Sequence, residues 1–372
     1  MKRLLINLLL TGIISATGLA KSDTIPSFIN TASNRIDLNQ ADWTPLKHKL
    51  QNRLNGDTST IRVLHIGDSH IQAEFVTNEL RRLLQEHYGN AGRGLLMPLR
   101  LAGTNQSHDY SVTSTQPVDF TQTRLLKLPW PVKPGVTGIA AQPAAKTSLT
   151  WRTTIPGHNI KNAVLLSDKG ITTAPGSDAD SIVTDIEAGQ TVYGLLTDNG
   201  RPGILYSARG NNGACFNDYL LIDRFAEKTQ VFNPDLIILS MGTNEAFSYM
   251  TDKEIERSVK DLVRLLHSYN PNAEFLILTP MECQKNRNHG FRPLSEFYDI
   301  NLRNAEVARI IKDTATQINI PVWDFYAVAG GDGTSGKWLD AGLMNKDRIH
   351  LLKPGYELQA RLLYDALMDV LP

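Results

Sequence analysis

The sequence has little cysteine, no excess of either charge and no apolar run long enough to cross a membrane. Only two of its 372 residues are cysteines, so at most one intramolecular disulfide bond can form. Lys and Arg together number 38, as do Asp and Glu, and no basic run stands out. This balance disfavours a nucleic-acid partner. The apolar run at residues 4–14 is shorter than the roughly 20 residues that a membrane-spanning helix needs.

The composition is that of a globular protein with an export signal. Hydrophobic residues make up 41% of the chain and charged residues 20%, which excludes wholesale disorder, a coiled coil and collagen. Lys2 and Arg3 precede the apolar run, and small residues follow up to Ala20. This order is typical of a secretory signal peptide. We therefore expect residues 1–20 to be removed and the remaining chain to be periplasmic or extracellular, with no membrane span.

The two cysteines and the histidines give no metal-binding pattern. Cys215 and Cys283 either form one disulfide bond or remain two buried thiols, and their spacing does not decide between these alternatives. No His-Glu-x-x-His sequence and no cluster of Cys and His residues is present. The sequence therefore predicts neither a metal nor another cofactor.

Short apolar runs alternate with helical patterns along most of the chain. Five runs predict strands, at residues 61–66, 204–208, 235–241, 274–279 and 320–325. Helices are predicted at residues 43–54, 73–87 and 217–228, from a Thr251–Glu254 capping box onward, and at residues 355–371. Strands separated by helices are typical of a parallel sheet with helices on both faces. The predicted fold is α/β, with a doubly wound parallel five-stranded sheet.

A long segment interrupts this alternation between the second helix and the second strand. It spans about 115 residues, far more than a connecting loop requires. Within it Leu149, Trp151 and Thr153 alternate with Thr150 and Arg152, which is typical of a strand with one buried face. We therefore predict an inserted β-sandwich. The expected division is a signal peptide at 1–20, a discontinuous domain at 21–94 and 203–372, and the insert at 95–202.

Polar clusters follow three of the predicted strands and precede the last helix. Because the carboxyl ends of parallel strands meet at one edge of a sheet, these clusters are expected to converge there. They are Gly67-Asp68-Ser69-His70, Gly210-Asn211-Asn212-Gly213, Gly242-Thr243-Asn244-Glu245 and Asp347-Arg348-Ile349-His350.

The residue types in these clusters suit nucleophilic catalysis. Ser69, where a strand turns into a helix, can present both its hydroxyl and a backbone N–H at the positive end of the helix. His350 can act as its base, and Asp347 can hold the histidine tautomer. The backbone N–H of Gly213 and the side-chain amide of Asn244 can join the Ser69 N–H in stabilising an oxyanion.

At these positions the sequence resembles the SGNH/GDSL hydrolase family. The resemblance rests on four blocks in the family's order, which stand here as Ser69, Gly213, Asn244 and the pair Asp347 and His350. It implies a flavodoxin-like three-layer fold and a serine ester hydrolase. His70 departs from the pattern, because the commoner motif has Leu there. This residue is a candidate for substrate binding or a structural imidazole.

The Gly-Asp-Ser-His block, the export signal and the β insert are most similar to the peptidoglycan O-acetylesterase branch. This resemblance implies an acetylated glycan as substrate, and the insert resembles a carbohydrate-binding module. The alternatives are an O-acetyltransferase and a deacetylase of xylan, pectin or sialic acid. A glycan-binding protein without catalytic activity is an alternative of another class. Trp130, Trp151 and Trp338 either stack on sugar rings or belong to the core.

Overall fold

A computed structural model describes residues 25–286 and 298–372. The predicted signal peptide lies outside the described residues. The strands, in chain order, are β1 (Ile36–Asp37), β2 (Thr60–Gly67), β3 (Gly94–Leu96), β4 (Tyr110–Ser114), β5 (Phe120–Arg124), β6 (Ile139–Pro143), β7 (Thr147–Thr153), β8 (Ile160–Ser167), β9 (Gly170–Ala179), β10 (Ser181–Ile186), β11 (Val192–Asp198), β12 (Gly203–Gly210), β13 (Leu236–Ser240), β14 (Glu274–Leu278), β15 (Gln284–Asn286), β16 (Tyr298–Ile300) and β17 (Val322–Trp323).

Helices connect many of these strands. The helices are α1 (Thr44–Leu54), α2 (Ser69–Gln72), α3 (Phe75–Tyr88), α4 (Phe225–Lys228), α5 (Asp252–Tyr269), α6 (Arg303–Gln317), α7 (Phe325–Val328), α8 (Ser335–Asp340) and α9 (Lys353–Met368). Within the described part of the chain, no helix is long and apolar enough to span a membrane.

The main sheet has the order β1-β17-β14-β13-β2-β12. Strands β17, β14, β13, β2 and β12 run parallel to their neighbours, while β1 pairs antiparallel with β17. The mixed α/β class is therefore confirmed, but the sheet has six strands instead of five. The additional strand has only two residues, too few for a periodic pattern to reveal it.

Both faces of the main sheet are covered, as the apolar strand sequences require. Ile61 and Val63 of β2 belong to the hydrophobic cluster that includes α1, α3 and α9. Leu64 and Ile66 belong to the cluster on the other face, which includes α5 and α6. Chain order also reverses at β2, because β12 lies on one side of it and β13 on the other. The carboxyl end of β2 is thus the switch point where such folds bind ligands.

Two helix predictions had different outcomes, and one helix was missed. The capping box is confirmed: the Thr251 hydroxyl accepts a hydrogen bond from the Glu254 N–H, and the Glu254 carboxylate accepts one from the Thr251 N–H at 2.7 Å. The single helix at 217–228 was wrong. A 3-10 turn ends at Leu221, and Arg224 has a left-handed φ of 52° before α4 begins. Helix α6 was not predicted.

The segment between α3 and β12 forms antiparallel sheets. Strands β10, β7 and β4 form one sheet, while β5, β6, β11, β8 and β9 form another, with β3 paired to β11. In β7, Leu149 and Trp151 are buried while Thr150 is half-buried and Arg152 exposed, as their alternation predicts. Trp151 and Trp338 are fully buried core residues.

This segment shares a hydrophobic core with the main sheet. Leu95, Trp151 and Ile160 belong to the same buried cluster as Leu64 and Ile66 of β2. The covalently inserted segment is therefore packed directly against the sheet that carries the polar clusters.

A buried ion cluster adds polar contacts across the same boundary. We define it as Glu74, Arg81, Arg93, Ser107 and Asp109. Arg93 contacts the Glu74 carboxylate and donates from Nε to Asp109 at 2.8 Å, while Arg81 donates to Asp109 at 3.2 Å. The Ser107 hydroxyl donates to Asp109 at 2.6 Å and also bonds Glu74. These contacts connect the start of α3 to residues on both sides of β3.

The cysteines are not bonded to each other. Cys215 and Cys283 are both free and buried. Of the two alternatives left open by the sequence, the structure therefore has buried thiols.

Candidate active site

A cavity of about 550 Å³ lies at the carboxyl edge of the main sheet. It is lined by residues from all four polar clusters, among them Ser69, Gly213, Asn244, Asp347 and His350. The volume lies within the range of about 300–1,000 Å³ that is typical of small-molecule sites. The structure thus brings together the predicted triad and oxyanion residues.

Two glycines permit the sharp turn that carries Ser69. A Cβ atom on Gly67 would lie 2.6 Å from the carbonyl oxygen of Ser240, and one on Gly210 would lie 2.1 Å from the Gln72 nitrogen. Helix α2 can therefore pack directly over the ends of β2 and β12. Asp68 caps this helix by accepting a hydrogen bond from the His70 N–H at 2.9 Å.

Ser69, His350 and Asp347 form a chain of two hydrogen bonds. Ser69 Oγ lies 2.8 Å from His350 Nε2, and His350 Nδ1 lies 2.8 Å from an oxygen of Asp347. Because an ionised carboxylate only accepts hydrogen bonds, Nδ1 carries the proton and Nε2 of the neutral ring is left as acceptor. The Ser69 hydroxyl can therefore donate to Nε2.

The electrostatics of this chain favour an ionised Asp347. Burial opposes its ionisation, but hydrogen bonds from the His350 ring and from the N–H groups of Ile349 and His350 lower the Asp347 pKa to about 2. The hydrogen bond to Asp347 is in turn the main cause that raises the pKa of His350 above its ordinary value. The pair is thus arranged to accept a proton at Nε2 more readily than a free imidazole.

The oxyanion candidates lie on the neighbouring loops. Gly213 has a φ of 82°, a conformation that favours glycine. The Asn244 amide donates to the Ala214 carbonyl at 3.0 Å and lies 3.4 Å from a carboxylate oxygen of Asp68. Both residues line the cavity together with Ser69.

Two carboxyl groups lie buried beside these loops. Burial raises the pKa of Asp68 to about 7, although its hydrogen bond from the His70 N–H opposes the shift. Burial also raises the pKa of Glu245 to about 7, against a hydrogen bond from the Phe216 N–H at 2.8 Å. The Asp68 carboxyl thus caps α2, and the Glu245 carboxyl holds the backbone at Phe216, three residues after Gly213.

His70, the predicted substrate-binding residue, does not line the cavity. Its Nδ1 lies 2.9 Å from the hydroxyl of Tyr356, and its ring centroid lies 5.1 Å from that of His350. Burial lowers the His70 pKa to about 3, so the ring is neutral and shares one hydrogen bond with the Tyr356 hydroxyl. These contacts favour the structural alternative, in which the His70 ring packs beside the His350 ring.

Gln72 is a site residue that the sequence analysis did not single out. Its side-chain oxygen accepts from the Asn212 N–H at 2.8 Å, and its side-chain nitrogen donates to the hydroxyl of Thr104 at 2.7 Å. Its position one helical turn after Ser69 was the available signal. Phe75 and Tyr356 also line the cavity, but no motif marks them.

Comparison with known proteins identifies a family and a fold. Residues 174–358, about half of the chain, match the GDSL-like lipase/acylhydrolase family. These residues belong to that family. The match includes Gly213, Asn244, Asp347 and His350, whereas Ser69 precedes it.

The fold is that of a solved structure described as a peptidoglycan O-acetylesterase. The TM-score is 0.73 and the identity 24%, and the alignment covers 90% of this chain and 98% of the other. At this coverage the likeness extends into the segment at residues 95–202. Two further structures match a smaller part of the chain: a lipase/acylhydrolase from Enterococcus faecalis (20% identity, 46% of this chain and 78% of that chain, TM-score 0.35) and a carbohydrate acetylesterase from Sinorhizobium meliloti (16%, 45%, 79% and 0.33). No curated protein matches the chain.

Proposed function

We propose that the protein is an exported serine esterase that removes O-acetyl groups from a glycan, with peptidoglycan as its substrate. The observation that carries the proposal is the hydrogen-bonded chain from Ser69 through His350 to Asp347 inside an open cavity. Membership of an acylhydrolase family and the fold shared with a peptidoglycan O-acetylesterase support it. The proposed division remains a hydrolase domain at 21–94 and 203–372, with an insert at 95–202.

In the first half of the reaction, Ser69 Oγ attacks the acetyl carbonyl carbon while its proton passes to His350 Nε2. The carbonyl oxygen becomes an oxyanion that accepts hydrogen bonds from the N–H groups of Ser69 and Gly213 and from the Asn244 amide. The 3.4 Å contact between Asn244 and Asp68 is long, so this amide hydrogen can turn to the oxyanion at small cost. His350 then protonates the sugar oxygen as the ester bond breaks.

The second half hydrolyses the acetyl-Ser69 intermediate. A water molecule gives a proton to His350 Nε2 and attacks the acetyl carbon of this intermediate. The carbonyl oxygen again becomes an oxyanion that accepts hydrogen bonds from the same donors. Collapse of this intermediate returns the proton to Ser69 Oγ and releases acetate. Asp347 remains ionised throughout and stabilises the imidazolium of His350 in both halves.

The test is acetate release by the exported form of the protein. We expect hydrolysis of 4-nitrophenyl acetate, and more efficient release of acetate from O-acetylated peptidoglycan than from acetylated xylan or pectin. Mass spectrometry of the acetate and of the remaining glycan would measure both products. Transfer of the acetyl group to another sugar without free acetate would contradict hydrolysis, and the absence of any ester cleavage would contradict an enzyme.

A further inference from the structure

A second cavity lies beside the active-site cavity. It is bounded by α3, α9 and residues 154–158, and we call it the α3/α9 cavity. Its volume is about 700 Å³. Phe75 lines both this cavity and the active-site cavity. The two spaces therefore meet at one aromatic side chain.

Arg81 lines the α3/α9 cavity and has a free donor. The side chain is 1% exposed. Its Nε donates to the Tyr206 carbonyl at 3.1 Å, and its Nη1 donates to the side-chain oxygen of Asn78 at 2.7 Å. Its Nη2 has no hydrogen-bond partner among residues 25–286 and 298–372. A buried donor without a partner costs free energy, so a ligand atom or a water molecule is expected there.

His158 lines the same cavity and has a free acceptor. Its Nε2 lies 3.0 Å from the side-chain oxygen of Gln85, whose amide nitrogen donates to the carbonyls of Gly92 and Ile204. The Gln85 oxygen is thus the acceptor, and His158 Nε2 is the donor. Burial lowers the His158 pKa to about 3, so the ring is neutral and Nδ1 has a lone pair. Within the described part of the chain, this Nδ1 has no partner.

Arg81 and His158 line the same cavity, so together they offer a ligand one free donor and one free acceptor. Hydroxyl groups suit both, because a hydroxyl can accept and donate hydrogen bonds. The charges do not select an ion, since Arg81 is paired with Asp109 and the neighbouring Arg82 with Glu79 and Glu86. A neutral ligand with several hydroxyl groups fits this balance.

Aromatic surface lies at the junction of the two cavities. The Phe75 ring stacks against the exposed His108 ring, with centroids 4.4 Å apart, and against the Tyr356 ring at 6.0 Å. Ligand sites commonly combine such apolar surface with a few polar groups that fix orientation. A sugar ring has both an apolar C–H face and polar hydroxyl groups at its edge.

We propose that the α3/α9 cavity binds a sugar residue of the glycan chain next to the acetylated residue, so that the chain crosses Phe75 between the two cavities. The proposal rests on the proposed glycan esterase function. Binding of this remote sugar would supply free energy that a small ester cannot, and would raise the rate on longer chains.

Ile155 offers a way to obstruct this cavity without changing the triad. It lines the α3/α9 cavity and is 45% exposed, so Ile155→Trp adds bulk at the cavity without disturbing the core. Ile171→Trp is the matched control, because Ile171 is 65% exposed on another surface of the same segment. Both variants are compared with the wild type on O-acetylated glycan fragments of one to six sugars and on 4-nitrophenyl acetate.

We expect the wild-type kcat/KM to increase with fragment length. In Ile155→Trp this increase should fall about tenfold, while the rates on the acetylated monosaccharide and on 4-nitrophenyl acetate stay unchanged and Ile171→Trp behaves as the wild type. Equal rates for Ile155→Trp and the wild type at every length would overturn the proposal. Water would then be the partner of Arg81 and His158. An equal loss on all substrates would also overturn it.

A binding experiment separates this proposal from the proposed enzymatic function. Calorimetry of Ser69→Ala with N-acetylglucosamine and with its hexamer requires no catalysis. Tighter binding of the hexamer, lost when Ile155→Trp is added, would support the cavity even if no ester were cleaved. Equal affinity for the monomer and hexamer would count against the cavity even if 4-nitrophenyl acetate were hydrolysed.

Discussion

The proposed triad and the buried ion cluster both hold a carboxylate against a basic side chain, but in opposite surroundings. The side chains of Asp347 and His350 are 41% and 36% exposed, whereas those of Asp109 and Arg93 are 3% and 0% exposed. Substrate and water can reach the first pair, and a proton can move along it. The second pair is closed to solvent, and its contacts connect α3 to the inserted segment.

Because of this difference, we expect the exposed pair to serve the reaction and the buried pair to stabilise the fold. Removing a triad residue leaves no buried charge without a partner, so it should affect turnover and not folding. Removing one member of the ion cluster leaves buried charges without a partner, so it should lower the free energy of unfolding. Substitutions in the two pairs should therefore differ in their effects on turnover and on stability.

The largest effect is expected for Ser69→Ala. Without the Ser69 hydroxyl no acetyl-enzyme can form, so kcat on 4-nitrophenyl acetate should fall by at least about 10³-fold. The urea midpoint should remain that of the wild type, because Ser69 is half-buried at the edge of the sheet. Retention of more than about a tenth of the wild-type rate would exclude Ser69 as the nucleophile.

Asp347→Asn should reduce kcat and also shift its pH dependence. Asn favours the wrong His350 tautomer, which costs up to about 10⁴-fold in comparable triads. In the wild type, Asp347 raises the His350 pKa, so activity should fall on acidification with a midpoint above the ordinary histidine value of about 6.5. Below that midpoint Nε2 is protonated and cannot act as a base.

Loss of the carboxylate removes the main cause of the raised pKa, so the residual activity of Asp347→Asn should have a lower midpoint. His350→Ala should lose at least as much activity as Asp347→Asn. A wild-type rate that stays constant down to about pH 4, well below the ordinary histidine pKa, would exclude His350 as the base.

Arg93→Met should leave the chemistry intact and destabilise the fold. It removes the partner of two buried carboxylates, which typically costs about 3–5 kcal/mol of unfolding free energy. The matched control is Arg152→Met, because Arg152 forms an exposed ion pair with Asp180 at 2.7 Å. Such a surface pair contributes about 0–1 kcal/mol. Urea denaturation followed by circular dichroism would measure both; equal losses would mean that burial of the cluster has no special role.

The sequence predicts the two regions to different extents, because only the polar clusters lie at a place that the sheet topology specifies. Ser69, Gly213, Asn244 and His350 could be predicted to converge, because topology brings the ends of parallel strands to one edge. The ion cluster could not, because Glu74, Arg93 and Asp109 follow no period and meet only after the insert packs against α3. For the same reason the contact between His70 and Tyr356 could not be predicted.

The insert shows a second limit of sequence patterns. Alternation in β7 predicts which residues are buried, but not which surface covers them. Trp151 and Leu95 lie in one cluster with Leu64 and Ile66 of the main sheet. Replacing residues 95–202 with a flexible linker would therefore expose core of the main sheet, and a single substitution such as Ile155→Trp is the sharper test of what this segment contributes to substrate binding.

A smaller effect on kcat is expected at Gln72, which connects the loop before Gly213 to Thr104 of the inserted segment. Gln72→Met removes the acceptor of the Asn212 N–H and should displace Gly213. We expect kcat on 4-nitrophenyl acetate to fall by about tenfold, which is less than the loss of a whole oxyanion donor would cause. KM should stay unchanged. Gln72→Glu keeps an oxygen acceptor for Asn212 and should restore most of the rate. Thr104→Val removes only the bond on the side of the insert and should have a smaller effect than Gln72→Met. If Thr104→Val and Gln72→Met were equally impaired, or if Gln72→Met raised KM alone, Gln72 would not position the oxyanion loop.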